Sequence, residues 1–140
     1  MKEYIGTKVI KAERMQKDGK EGYKVIYDNP NNTTYESWSP LEVFEEAYKS
    51  SGDLSFGDAI HLMKKGYKLS RKGWNGKSMY IQYFCPVAHG LEEFTILDKE
   101  PTGTTKPLLP FLMMKTADDM FVPWLASHSD MLSSDWCIYE

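Results

Sequence analysis

Histidine and cysteine are scarce in this chain of 140 residues, at three and two copies. His61, His89 and His128 are scattered, and none has a second ligand four residues away, so we expect no metal site. Cys85 and Cys137 stand far apart with no CxxC spacing, which predicts free thiols in a reducing cytoplasm. No apolar run approaches the roughly 20 residues of a membrane helix. Met1-Lys2-Glu3-Tyr4 lacks an apolar leader, so the expectation is a soluble protein that is not exported and has no membrane partner. There is no GxSxG elbow, no Cys–His signature, no P-loop and no GxGxxG. No catalytic residue and no cofactor is therefore predicted. A net charge of −3 argues against duplex nucleic acid as a partner. Internal repeats and low-complexity tracts are missing too.

What is present points to a folded protein: 41% hydrophobic and 14% aromatic residues, enough for one core or two small ones. Charge is distributed unevenly. Between Lys64 and Lys77 stand Lys64, Lys65, Lys68, Arg71, Lys72 and Lys77 with no acid among them. The acids gather at Glu42–Glu46, at Glu92–Glu100 and near the C-terminus. A local basic patch on an acidic chain suits a small anion.

The pattern of residues divides the chain in two. Lys8–Arg14, Tyr23–Tyr27 and Thr33–Trp38 read as strands, with a polar turn at Gly19–Gly22. Ser39, Pro40 and Glu42 read as N-cap, first helical residue and capping-box partner of a helix carrying Val43, Phe44, Ala47 and Tyr48 on one face. Residues 1–49 thus form a small β-β-β-α module. In residues 53–140, Ser55 and Asp58 cap a helix whose apolar face is Phe56, Ala59, Ile60 and Met63, and Gly66 ends it. His61 falls on its exposed side. Asn75-Gly76 signals a tight hairpin between Tyr67–Lys72 and Ser78–Phe84, with Arg71 opposite Tyr80 if the turn has two residues. A longer loop from Lys72 to Lys77 would change that register. Pro86–Pro107 is long and polar, with a short strand in Glu93–Leu97. Leu108–Lys115, Phe121–Trp124 and Trp136–Tyr139 complete the strands, and Ser127–Asp130 is a polar break opening a single helical turn. The fold class is α+β, mainly antiparallel sheet with two short helices.

The hairpin carries more chemistry than a turn requires. Arg71 and Lys77 suit phosphate, and Trp74 and Tyr80 offer aromatic faces. Trp38 and Trp136 read as core; Trp74, beside an Asn-Gly turn, is harder to bury. Lys115-Thr116-Ala117-Asp118 and Ser127-His128-Ser129-Asp130 read either as turn and cap chemistry or as a second polar wall facing the hairpin.

Ser55-Phe56-Gly57-Asp58-Ala59-Ile60, Arg71-Lys72-Gly73-Trp74-Asn75-Gly76-Lys77, Met114-Lys115-Thr116-Ala117-Asp118, Phe121-Val122-Pro123-Trp124, Ser127, Asp130-Met131-Leu132 and Asp135-Trp136 together resemble, in that order, the phage anti-Thoeris sponge proteins of the second type. The resemblance covers about residues 53–140. Tyr35-Glu36-Ser37-Trp38-Ser39-Pro40 with Val43-Phe44-Glu45 is similar to an N-terminal module of assorted phage proteins. The resemblance implies a non-enzymatic sponge in the host bacterial cytoplasm. Such a sponge holds cyclic ADP-ribose-type signals made by TIR-domain proteins, and for some members cyclic dinucleotides, without cleaving them. It also implies a homotetramer with pockets between subunits. By position it carries over Arg71, Trp74, Asn75 and Tyr80, and further Lys115, Thr116, Ser127 and Asp130; the hairpin's Gly76 and Lys77 complete the predicted ligand set. The family pattern leads us to expect glycine where this chain has Asp118-Asp119. Two other functions fit the same residues: a nucleotide-degrading enzyme, or a phage factor that binds a host protein.

Overall fold

The computed structural model describes residues 1–28, 31, 33–74, 77–86, 88, 93–94 and 106–140. They form two compact units, Met1–Ser50 and Ser51–Glu140. The class is α+β with antiparallel sheets, and a third, one-turn helix joins the two expected.

The first unit is a three-stranded meander, β1 (Lys11–Lys17), β2 (Lys20–Asp28) and β3 (Thr34–Pro40), followed by α1 (Leu41–Ala47). The first strand lies three residues later than the alternation suggested. The turn is Asp18-Gly19, not Gly19–Gly22: both residues have positive φ (51° and 74°), and Lys17 pairs with Lys20. A two-residue turn of this kind keeps the right-handed twist of the strands. Gly22 lies within β2, because Trp38 passes over it; a Cβ there would stand 2.6 Å from the indole and 2.3 Å from the Ser39 carbonyl oxygen. The expected Ser39 cap is not formed. The N-cap is Pro40, which has no side-chain hydroxyl, and Ser39 stays in β3. The helix is held instead by rings, Tyr23 stacked on Phe44 at 4.0 Å and Phe44 on Tyr48 at 5.0 Å. Trp38 is half-buried and donates its indole N–H to the Met15 carbonyl.

In the second unit α2 (Phe56–Lys64) opens with the anticipated capping box, Ser55 and Asp58 each bonding the other's backbone N–H. Gly66 (φ 93°) follows its C-cap. Ala59, Leu62 and Met63 form its buried face, so Leu62 belongs to the core and Phe56 and Ile60 flank it. His61 is half-buried, with its Nε2 out of contact with solvent, rather than on the exposed side. A five-stranded sheet runs in the order β10-β4-β5-β8-β9. Its strands are β4 (Leu69–Arg71), β5 (Tyr80–Phe84), β8 (Phe111–Lys115), β9 (Phe121–Pro123) and β10 (Trp136–Ile138). A separate pair, β6 (Glu93–Phe94) and β7 (Lys106–Pro107), falls inside the Pro86–Pro107 stretch. The rest of the strand expected at Glu93–Leu97 lies outside the described residues. One-turn α3 (His128–Met131) lies between β9 and β10.

Register fixes which residues face the helix. Trp136 pairs with Arg71, Leu69 with Ile81, and Ile81 with Met114. Alternation puts all five on one face. Trp136, Leu69 and Ile81 are fully buried there with Ala59, Leu62 and Met63. Tyr80, Gln82, Phe84, Met113 and Lys115 take the opposite face. Among the described residues no helix is long and apolar enough to cross a membrane.

Candidate functional site

The connection between β4 and β5 begins at Arg71, and Arg71 is the centre of its geometry. Its Nε donates to Asp135 Oδ1 at 2.8 Å and its Nη1 to Asp130 Oδ1 at 2.7 Å, with only 16% of the side chain exposed. Asp130 is the N3 residue of α3. Its Oδ2 accepts from the Ser127 amide at 3.0 Å and the Ser127 hydroxyl at 2.6 Å, while the Ser127 hydroxyl accepts from the Asp130 amide. The Trp136 indole donates to the Asp130 carbonyl at 2.9 Å. One guanidinium thus joins the end of β4, the cap of α3 and the residue before β10.

Both carboxylates titrate below the usual carboxylate range. Asp135 is held at about 2, first by its bond from Arg71, against a counteracting effect of burial. For Asp130 burial is the largest influence and pushes upward, but the bonds from Ser127, Arg71 and Trp74 together outweigh it. A charged donor stabilises the ionised carboxylate and thereby lowers its proton affinity.

Trp74 sits at this corner within an aromatic cluster. Its ring meets Trp136 edge-on at 5.6 Å and 76°, and Trp124 at 6.3 Å and 64°; Phe56 lies against Trp124 and Trp136. Trp74 is half-buried, a wall of the core that keeps part of its surface in solvent. Trp136 is fully buried, as its pattern suggested.

A second group lies on the opposite face. Tyr80 pairs with Lys115 across β5 and β8. The Tyr80 ring packs on Tyr139 at 4.9 Å and carries the Lys68 ammonium 4.7 Å above it. Lys115 donates to the Ser78 carbonyl at 3.2 Å and pairs with Asp119 at 3.1 Å. Thr116 closes the β8–β9 turn, its hydroxyl accepting from the Met120 amide at 3.1 Å. Asp119 has φ 67°, a left-handed conformation that glycine adopts most readily and that this chain reaches with an aspartate.

The predicted set therefore divides. Arg71, Trp74, Ser127 and Asp130 come together; Tyr80, Lys115 and Thr116 form the other group; Lys77 is exposed; Asn75 and Gly76 lie outside the described residues. Arg71 does not oppose Tyr80. The Leu69–Ile81 pairing shifts the register by one from that of a two-residue turn, and eight residues, 72–79, connect the strands, as the longer-loop alternative required. The basic run is also less cationic in space than in sequence. Arg71 meets two carboxylates, and Lys72 pairs with Asp53 at 2.9 Å. Asp135 was missed. Nothing in its spacing, 64 residues from Arg71, could have revealed it.

Among the described residues no group of three or more His, Cys, Asp or Glu side chains could hold a metal ion. Cys137, its thiol pushed up by burial, donates to the Ser70 carbonyl at 3.4 Å. Both cysteines are free. A concavity of about 130 Å³ in the first unit is lined by Arg14, Met15, Gln16, Glu21, Gly22 and Leu41, none of them in the predicted set.

Comparison with known proteins adds what geometry alone does not carry. Thoeris anti-defense 2 of Bacillus phage SP01 is 32% identical to this chain over 90 residues, spanning 61% of this chain and 93% of the phage protein. The family model of the Thoeris anti-defense 2-like domain matches residues 54–139, from the start of α2 through β10 and so through both groups of side chains. With more than half of its length matched, the chain belongs to the Thoeris anti-defense 2-like family.

Proposed function

We propose that the protein is a phage counter-defence factor acting against Thoeris. In this reading it binds a cyclic ADP-ribose-type signal made by a TIR-domain protein and withholds it intact in the host cytoplasm. The observation that carries the reading is the family match over residues 54–139. Two features of the site agree with it. Trp74, half-buried and backed by Trp124 and Trp136, is a rigid ring with limited freedom to lose on binding a base. Lys77, exposed on the same connection, supplies a cation for a pyrophosphate, whereas Arg71 is engaged by two carboxylates and Lys115, on the opposite face, by Asp119. No nucleophile–base pair is needed for sequestration. The pocket would be completed between copies in a homotetramer, with cyclic dinucleotides as a further ligand class.

The test is capture and release. The protein is incubated with the cyclic product of a bacterial TIR-domain protein, stripped of unbound ligand, heated, and the supernatant analysed. Intact nucleotide at no more than one equivalent per site is the expected result. A cleaved product formed beyond one equivalent would make the protein an enzyme, and an empty supernatant would remove the ligand assignment.

A further inference from the structure

We propose that Asp135 is the positioning residue for Trp74, fixing the turn Lys72–Trp74 through the Gly73 amide and the Arg71 guanidinium without touching ligand itself. The inference rests on the sequestration reading above and goes beyond it in naming what presents Trp74.

The bonds converge on this residue from three directions. Asp135 Oδ2 accepts from the Gly73 amide at 3.0 Å and Oδ1 from Arg71 Nε at 2.8 Å, while its carbonyl accepts from the Lys72 amide at 3.2 Å. The Trp74 amide then donates to the Arg71 carbonyl at 3.2 Å, closing a turn. Every backbone N–H from Lys72 to Trp74 is thereby committed before the chain reaches Asn75. Gly73 is suited to this approach: a Cβ on it would stand 3.1 Å from Asp135 Oδ2, tighter than ordinary contact. Asp135 engages one carboxylate oxygen with each partner, so a single side chain links the guanidinium to the loop backbone. The neighbouring Asp130 ties Arg71 to the α3 cap and also meets the Trp74 side chain, whereas Asp135 holds the backbone that leads to it. A carboxylate bonded to a charged donor and to a backbone amide at once is a strong anchor for a short loop. Ligand grips need this kind of supporting contact if a side chain such as Trp74 is to be pre-placed rather than ordered on binding.

The experiment compares the full chain with Asp135→Ala and Asp135→Asn. The asparagine keeps a carbonyl acceptor for Gly73 but loses the ionic bond to Arg71. Three quantities are read: amide exchange at Lys72 and Gly73, the indole NMR signals of Trp74 and Trp136, and affinity for the purified cyclic ADP-ribose-type product of a TIR-domain protein. We expect Asp135→Ala to speed Gly73 exchange at least tenfold, to move the Trp74 signal while the Trp136 indole N–H stays protected by its bond to the Asp130 carbonyl, and to weaken binding at least tenfold. Asp135→Asn should recover part of both the exchange protection and the affinity. If Asp135→Ala does not fold, the asparagine variant alone decides, by the same readouts. Unchanged exchange and an unmoved Trp74 signal would overturn the proposal, and so would loop signals that move with no change in affinity. A full chain that binds no cyclic product overturns the sequestration reading instead, a result separate from either.

Discussion

Two sharp returns of this chain begin alike and are held differently. Between β1 and β2 the strands reverse through Asp18-Gly19 alone, both left-handed, and seven consecutive cross-strand pairs follow at once. Between β4 and β5 eight residues intervene and one pair, Leu69–Ile81, joins the strands. The first return is settled locally, by two residues whose preferred φ suits a tight turn. The second is settled from a distance. Asp135 takes the amides of Lys72 and Gly73, and Arg71 takes two carboxylates from the far side of the sequence. The Trp74 amide closes on the Arg71 carbonyl, so the first turn of this connection is held by bonds that include partners remote in sequence.

The strongest way to break this contrast is Arg71→Met. It leaves Asp130 and Asp135 without their shared cation, one of them only 13% exposed at the side chain. Removing one partner of such a group costs roughly 3 kcal/mol. The four indole NMR signals report the two units separately, Trp38 for the first and Trp74, Trp124 and Trp136 for the second. In urea the last three should lose their native signals at clearly lower concentration in the variant, while the Trp38 transition stays in place. A Trp38 transition that moves equally would show that the clamp supports more than its own unit.

That asymmetry also explains what could be read in the sequence. Elements governed by local chemistry were legible: the Ser55–Asp58 capping box, Gly66, the helical turn at Ser127–Asp130 and the buried Trp136. The misread ones depend on partners remote in sequence or on one-residue competition. Ser39 was drawn into β3 by its pairing with Tyr23, leaving Pro40 at the cap. β1 lies later because Asp18-Gly19, not Gly19–Gly22, sets its register. For the candidate site, some residues singled out in the sequence do come together, but their partners were not legible. Arg71, Ser127 and Asp130 did come together, but as each other's partners. A run of cations without acids in sequence says little about charge in space when Asp53, Asp130 and Asp135 fold back onto it.

Acid offers a reversible way to weaken the long return without mutation. The folded value of Asp135 lies at about 2, below the 3.8 of an unrestrained aspartate. Its contribution to stability is therefore complete above pH 4 and disappears as pH falls through about 2, because the unfolded chain takes up the proton first. Asp130 is shifted in the same direction. With Asp135 partly exposed, its share is at most about 2 kcal/mol. Between pH 4 and pH 2 the urea midpoint read from Trp74, Trp124 and Trp136 should fall in the natural chain. In Arg71→Met, already without the cation, it should fall less. Equal slopes would mean that Arg71 is not what holds the carboxylate down.

The smallest effects separate the two returns most cleanly, because the same substitution fails for different reasons. At Gly19 there is open space for a methyl group but φ is 74°, so Gly19→Ala suffers backbone strain of about 1 kcal/mol. Gly73 lacks a left-handed φ, and there the obstacle is the Asp135 carboxylate 3.1 Å from the new Cβ. Gly73→Ala should then lower stability by less than Gly19→Ala, since a side-chain carboxylate shifts by a few tenths of an ångström more easily than a backbone escapes strain. A second mutation tests the assignment. Shortening the obstacle with Asp135→Ala should make Gly73→Ala neutral or stabilising, whereas no second mutation at residue 135 should alter the cost at Gly19. Coupling between residues 73 and 135 that is absent in the double-mutant cycle would show that the long return is not held by that carboxylate.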